Sequence, residues 1–255
     1  MKKTLIALAV AASAAVSGSA MAWTQNGTGG SVDLGGTLTP VEKVTPWEVK
    51  VGAAVNGLDG AIQKGQKEVS IAVNKSIPVL GIRAASIDGF KGTNGITPQV
   101  DFSGKFDFRN TKQGSGKLSL VVNDLAGNSI GKLETSLKTA AQAANGTGGS
   151  DWLYASSAGY GFFGGISATA DGANTAGYGF AASMFGDIHE TWAPGTQLSK
   201  TPAQYVFNSV NHTYNAYYAS GIEQGQTIKI TLDQAASGDA PIQWKASLPV
   251  TVSYQ

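Results

Sequence analysis

Trp244-Lys245-Ala246-Ser247-Leu248-Pro249-Val250-Thr251-Val252-Ser253-Tyr254-Gln255 sets the reading of the chain. Every second residue from Trp244 to Tyr254 is apolar, and Lys245, Ser247, Pro249, Thr251 and Ser253 sit between them. A period of two is the mark of a strand with one apolar face. Pro249 has no N–H to give a ladder, which places one side of the strand at an edge. A long apolar edge invites pairing with another chain unless something covers it.

At the other end lies Ser31-Val32-Asp33-Leu34-Gly35-Gly36-Thr37-Leu38-Thr39-Pro40. Val32, Leu34, Gly36 and Leu38 share one face, so this is a second alternating strand. Glycine stands where a further large side chain is expected, and glycine in a strand permits close backbone approach. Ahead of it, residues 23–30 are rich in Gly, Thr and Asn and read as a loose tail. Residues 1–22 read as a secretory signal. Lys2 and Lys3 give the positive start, residues 5–16 the apolar core, and Ala20 and Ala22 the small residues for cleavage. The remaining chain of about 230 residues suits one sizeable β domain or two small ones.

Composition narrows the class. The formal net charge is +1, which argues against nucleic acid as a partner. There is no cysteine, so burial and hydrogen bonding must hold the fold. The 34 glycines and short alternating runs argue for an all-β fold. Strands are expected over residues 47–51, 69–73, 78–83, 99–108, 117–122 and 227–232. Turns with left-handed glycines are expected at Asn56-Gly57, Asp59-Gly60, Asp88-Gly89 and Asn94-Gly95. Residues 133–144 fit a helix or a sheet and read on balance as a strand. Residues 203–219 fit a helix, with Tyr205, Ser209, His212 and Ala216 in line.

Chemistry is sparse. The two histidines, His189 and His212, have no metal-ligand company, and no cofactor is implied. Asp187, His189 and Glu190 read as a solvated loop. Gly159, Gly161 and Gly164 match a dinucleotide fingerprint in letters only, because no βαβ unit surrounds them. A serine nucleophile has no elbow motif. These readings argue against an enzyme. Asn26, Asn145 and Asn211 open Asn-X-Thr triplets, too short a pattern to build on.

With both ends in view, the chain resembles the chaperone–usher pilins. It is most similar to subunits of the adhesive fimbriae of enterotoxigenic Escherichia coli of the K-88 (porcine F-4) and F-41 type. The resemblance rests on the signal, the start at Trp23, Gly30-Ser-Val-Asp-Leu-Gly-Gly36, Trp47-Glu-Val-Lys-Val-Gly52, Ser220-Gly-Ile-Glu-Gln-Gly-Gln-Thr-Ile228 and the ending through Tyr254. It implies an incomplete immunoglobulin-like β-sandwich, a pilin fold completed by donor-strand exchange. Residues 23–39 would be the donor extension and residues 40–255 the pilin domain, with a loop and short-helix insertion at about 145–202. Val32, Leu34 and Leu38 would fill pockets in a neighbouring subunit, and Gly36 would keep the incoming exchange unblocked. Trp244, Leu248, Val250, Val252 and Tyr254 would line the acceptor strand. The implied partners are other fimbrial subunits, a periplasmic chaperone and an outer-membrane usher. The location implied is a fimbrium on the bacterial surface, reached through the periplasm. A second role implied is adhesion to host glycoconjugates, with Trp152, Tyr154, Tyr160, Tyr178 and Trp192 as rings on which sugars would stack, unless they pack the insertion. The remaining alternative is an unrelated secreted β-sandwich with self-contained edges.

Overall fold

The computed structural model describes residues 25, 34–39, 44–146, 149–195, 197–199 and 201–255. The signal segment 1–22 and Val32 lie outside the described residues. The chain divides into two units, Met1–Lys43 and Val44–Gln255. Within the first, residues 34–39, expected to be part of a strand, carry no assigned secondary structure.

The second unit is built from antiparallel strands. In chain order these are β1 (Trp47–Val51), β2 (Glu68–Ala72), β3 (Ile77–Ala84), β4 (Phe90–Lys91), β5 (Pro98–Asp101), β6 (Ser115–Asn123) and β7 (Ser129–Ala144). β8 (Gly149–Trp152), the helix α1 (Gly177–Met184), β9 (Gln197–Leu198), β10 (Thr213–Ile222), β11 (Thr227–Leu232), β12 (Lys245–Ala246) and β13 (Thr251–Tyr254) follow. The main sheet runs β1-β3-β10-β7-β11-β2. The long β7 joins the layers of a sandwich: its second half pairs with β10, and its first half pairs with β11 on that same edge and with β6 on the other. β13 pairs with β5 in a separate two-stranded ribbon.

Residues 133–144 are a strand, as read. Residues 203–219 are not a helix: turns lead into β10. The reason is that β10 is covered on both faces. Tyr214, Ala216 and Tyr218 point into the main core, while Tyr217 and Ala219 point to a second cluster on the outer side. A strand buried on both faces loses its alternation and becomes unreadable by period. The end of β7 is treated alike, with Ala141 and Ala143 inward and Ala140 and Ala144 outward.

The outer cover is α1 and the turn after it. Phe180, Met184, Phe185, Ile188 and Trp192 lie on Ala140, Ala144, Tyr217 and Ala219. Small residues below permit the approach: a Cβ at Gly221 would collide with Met184, and one at Gly81 would sit 3.0 Å from the Phe185 ring. The main core is aromatic at one end, where Trp47 meets Phe90, Phe162 and Phe207 edge-on at 4.7, 5.8 and 5.1 Å. Such edge contacts add to area burial.

The run over residues 99–108 breaks early. After Asp101 the chain turns at Ser103 (φ 52°) and Gly104 (φ 70°), with the Ser103 N–H donating to Asp101 Oδ1 at 2.7 Å. Gly57, Gly89 and Gly95 take left-handed conformations as expected, at φ 76°, 73° and 83°, whereas Gly60 does not and instead lies close against Val69 and Ile71.

Candidate functional site at the C-terminal edge

The terminal alternation is a strand in two pieces. β12 pairs with β6 through Lys245↔Asn123 and Ala246↔Val122, and β13 pairs with β5 from Thr251↔Asp101 to Tyr254↔Pro98. Pro249 falls in the gap, where it has no N–H to offer. Gln255 and Thr97 exchange both backbone hydrogen bonds, at 2.9 and 3.0 Å. Antiparallel alternation therefore turns the backbone groups of Ser253 and Thr251 toward β5. Those of Val252 and Tyr254 turn to the opposite edge. No strand pairs along that edge among the described residues.

The side chains follow the same period. Trp244, Ala246, Leu248, Val250, Val252 and Tyr254 rest against the main core, yet each is only partly buried. Lys245, Ser247, Pro249, Thr251 and Ser253 are exposed. A finished sandwich would cover such a row.

β1 is a second flank with the same deficit. Its strand partner among the described residues is β3, with Trp47↔Ala84, Val49↔Ile82 and Val51↔Leu80 opposite one another. Directly opposed residues point to the same face. Ile82 and Leu80 are 0% exposed and Trp47 7%, so this is the core side. Val49 and Val51 are nevertheless 44% and 64% exposed. Both flanks start from one place: Trp47 Nε1 donates to the Ile96 carbonyl at 2.7 Å, and the next residue, Thr97, holds Gln255.

The far face of β1 is fixed by charge. Glu48 accepts from Arg83 Nε at 2.8 Å, and Lys50 Nζ donates to Asp187 at 2.8 Å. Arg83 also donates to the Asp187 carbonyl and lies 3.4 Å from Glu190. The hydrogen bond to Glu48 raises the Arg83 pKa, and the one from Lys50 lowers that of Asp187. The edge is thus held in place with its apolar side chains bare.

The profile of the family described as "Fimbrial, major and minor subunit" matches residues 1–255. The chain belongs to this family. It is similar to K88 fimbrial protein AB and K88 fimbrial protein AD of Escherichia coli. Identities are 32% over 291 residues and 30% over 287, covering 100% of both chains in each case. It is also 28% identical over 284 residues to F41 fimbrial protein of Escherichia coli, again across 100% of both chains. It is therefore a fimbrial subunit of all-β, sandwich-like construction.

In this fimbrial subunit, Leu34 and Leu38 are 93% and 97% exposed, and a Cβ at Gly36 would meet nothing within 4 Å. The five aromatic residues named from the sequence do not gather. Trp152 and Trp192 are 4% and 6% exposed, with Trp192 edge-on to Tyr217 at 5.1 Å. Tyr154 is half-buried, and Tyr160 packs on the main core. Tyr178 is 50% exposed and stacks on His189 at 3.8 Å. Of the stretch read as a solvated loop, Asp187 and Glu190 keep much of their side chains open, whereas His189 is half-buried with its Nε2 covered and its ring stacked on Tyr178 of α1. Sequence reasoning missed β1 as a flank. Its signal was present in Trp47-Glu-Val-Lys-Val, the same period of two that marks the C-terminal strand.

Proposed function

We propose that this fimbrial subunit polymerises by strand donation. The observation that carries the reading is the bareness of core-facing side chains on two edges that lack a strand partner among the described residues, Val49 and Val51 on β1 and the row from Leu248 to Tyr254 on the last strand. An added strand gains backbone hydrogen bonds along the free edge and side-chain burial at alternate positions. Val32, Leu34 and Leu38 of a neighbouring subunit have the matching alternation. Burying three such side chains supplies about 5–9 kcal/mol, and each ladder hydrogen bond adds about 0.5–1.5 kcal/mol net. A head-to-tail contact of this kind does not close on itself and so builds a filament. A periplasmic chaperone would hold the same edge before assembly, and an outer-membrane usher would be the place of exchange.

The absence of cysteine makes the test clean. A chain carrying Leu34→Cys and Val252→Cys is expected to give a ladder of disulfide-linked oligomers when fimbriae are oxidised. Monomeric intramolecular disulfides, or none, would refute donation between subunits. Gly36→Val is expected to slow or stop assembly; an unchanged polymerisation rate would count against the pocket assignment.

A second reading is adhesion to host glycoconjugates, favoured by Tyr178, whose ring is half exposed in the inserted region. A separate cavity of 250 Å³ is lined by Pro194, Tyr214 and Asn215, and the Asn215 Oδ1 is without a hydrogen-bond partner. Glycan-array binding by assembled fimbriae, lost on Tyr178→Ala, tests it; binding unaffected by that change would remove Tyr178 from the role.

A further inference from the structure

We propose that His189 is an acid-triggered latch: taking up a proton on its ring frees α1 and the turn after it, residues 177–192, from the outer face of the sheet while the sandwich core stays folded. The ring lies flat on Tyr178 of α1, 3.8 Å between centroids and 2° from parallel. It stands edge-on to Tyr217 of β10 at 4.6 Å and 82°. Its Nε2 is buried and has no hydrogen-bond partner. Neutral imidazole tolerates this, since one ring nitrogen carries no hydrogen. Imidazolium does not, because both nitrogens become donors and a buried charge needs a counterpart.

The surrounding groups offer none. On its own turn Asp187 and Glu190 are carboxylates, but Asp187 is paired with Lys50 of β1 and Glu190 with Arg83 of β3. From β7, Lys138 sits over the Phe180 ring at 5.5 Å, and its charge is paired with Glu223 of the turn after β10 at 3.0 Å, so neither group is free to answer an imidazolium. From α1 and β10 come the two tyrosines, and the Tyr217 hydroxyl is spent on Gln142 Oε1 at 2.5 Å. Burial accordingly holds His189 below its ordinary value of 6.5.

The sign follows. A histidine depressed in the folded state contributes fully above pH 6.5, and its contribution drains away as pH falls toward the depressed value. One proton per opening makes the local opening constant rise by up to about tenfold per pH unit across that window. Asp187, itself lowered from 3.8, stays ionised there and keeps its pairing.

Peptide-resolved hydrogen exchange on assembled fimbriae at pH 7.5 and 5.0, corrected for intrinsic rates, tests the latch. Protection over residues 177–192 is expected to fall at pH 5.0, by at most about tenfold for each pH unit below 6.5, while β6 and β7 hold. His189→Phe, which keeps the stacked ring, is expected to abolish the fall. Equal protection at both pH values, or an undiminished fall in that variant, overturns the proposal. A readout free of the variant's folding is the imidazole proton titration in a His212→Gln chain, where His189 is the one histidine left. A midpoint at or above 6.5 overturns the latch, and one below supports it.

Discussion

The sheet has one flank sealed by its own chain and another left open. On the outer face of β3, β10 and β7, α1 and its turn bury Phe180, Met184, Phe185 and Trp192 against small residues. At the C-terminal edge the apolar rows of β1 and β13 are just as regular, yet they stay partly bare. Both surfaces carry the same kind of side chain. The difference is whether covering residues come from this molecule. Where they do, the surface contributes to the stability of the single chain. Where they do not, the same apolar area is, on the proposed function, left for association.

Four changes would break or sharpen that contrast. The largest effect is expected from Val252→Asp, which puts a carboxylate on the core-facing row of β13. Covering a charge there costs several kcal/mol, so fimbriae recovered from the cell surface should drop by about a hundredfold or more. Normal yields would show that nothing is seated over β13.

Next is Phe185→Ala on the sealed side. Phe185 is 5% exposed, and emptying such a site costs about 3–5 kcal/mol. Denaturant unfolding should register that loss with subunit joining intact; a loss below about 1 kcal/mol would mean α1 contributes little.

Val49→Ala with Val51→Ala separates the two flanks most directly. Both are largely exposed in the single chain, so unfolding of the unassembled subunit should move by less than about 0.5 kcal/mol. Fibre dissociation in denaturant should ease by about 1 kcal/mol or more per residue. Equal effects on both would erase the distinction.

The smallest effect is expected from Glu48→Gln. Its partner Arg83 is tied in several ways, and a pair with this exposure is worth about 0.2–1 kcal/mol. The shift should shrink further in high salt; a salt-independent loss would place the pair in a drier setting.

Much of this contrast was legible in the sequence, and the illegible part has one physical cause. Period two reports strands with one wet face. It found β1, β2, β6, β11 and the C-terminal strand because each keeps that asymmetry. It failed at β10, where Tyr217 and Tyr218 are both 0% exposed, and nearly failed at β7, for the same reason. The turn at Ser103 was hidden because Phe102 and Phe106 continue the apolar rhythm across it, meeting edge-on at 5.7 Å. His189 read as solvated because its cover comes from Tyr178 and Tyr217, distant in sequence or offset by the helix. Among the candidate residues, alternation located the rows of the open edge. Nothing in local pattern could say that Trp152 and Trp192 would be spent inside.

The clasp between Thr97 and Gln255 also has a temporal meaning. More than half of the 255 residues lie between its two halves. A ribosome delivers β5 long before the residues that will zip along it exist. Until then β5 is a ribbon in waiting, so ring closure over this span is a late and slow event in folding. The same delay exposes the nascent molecule to wrong neighbours for longer than a chain whose ribbons pair in order of appearance.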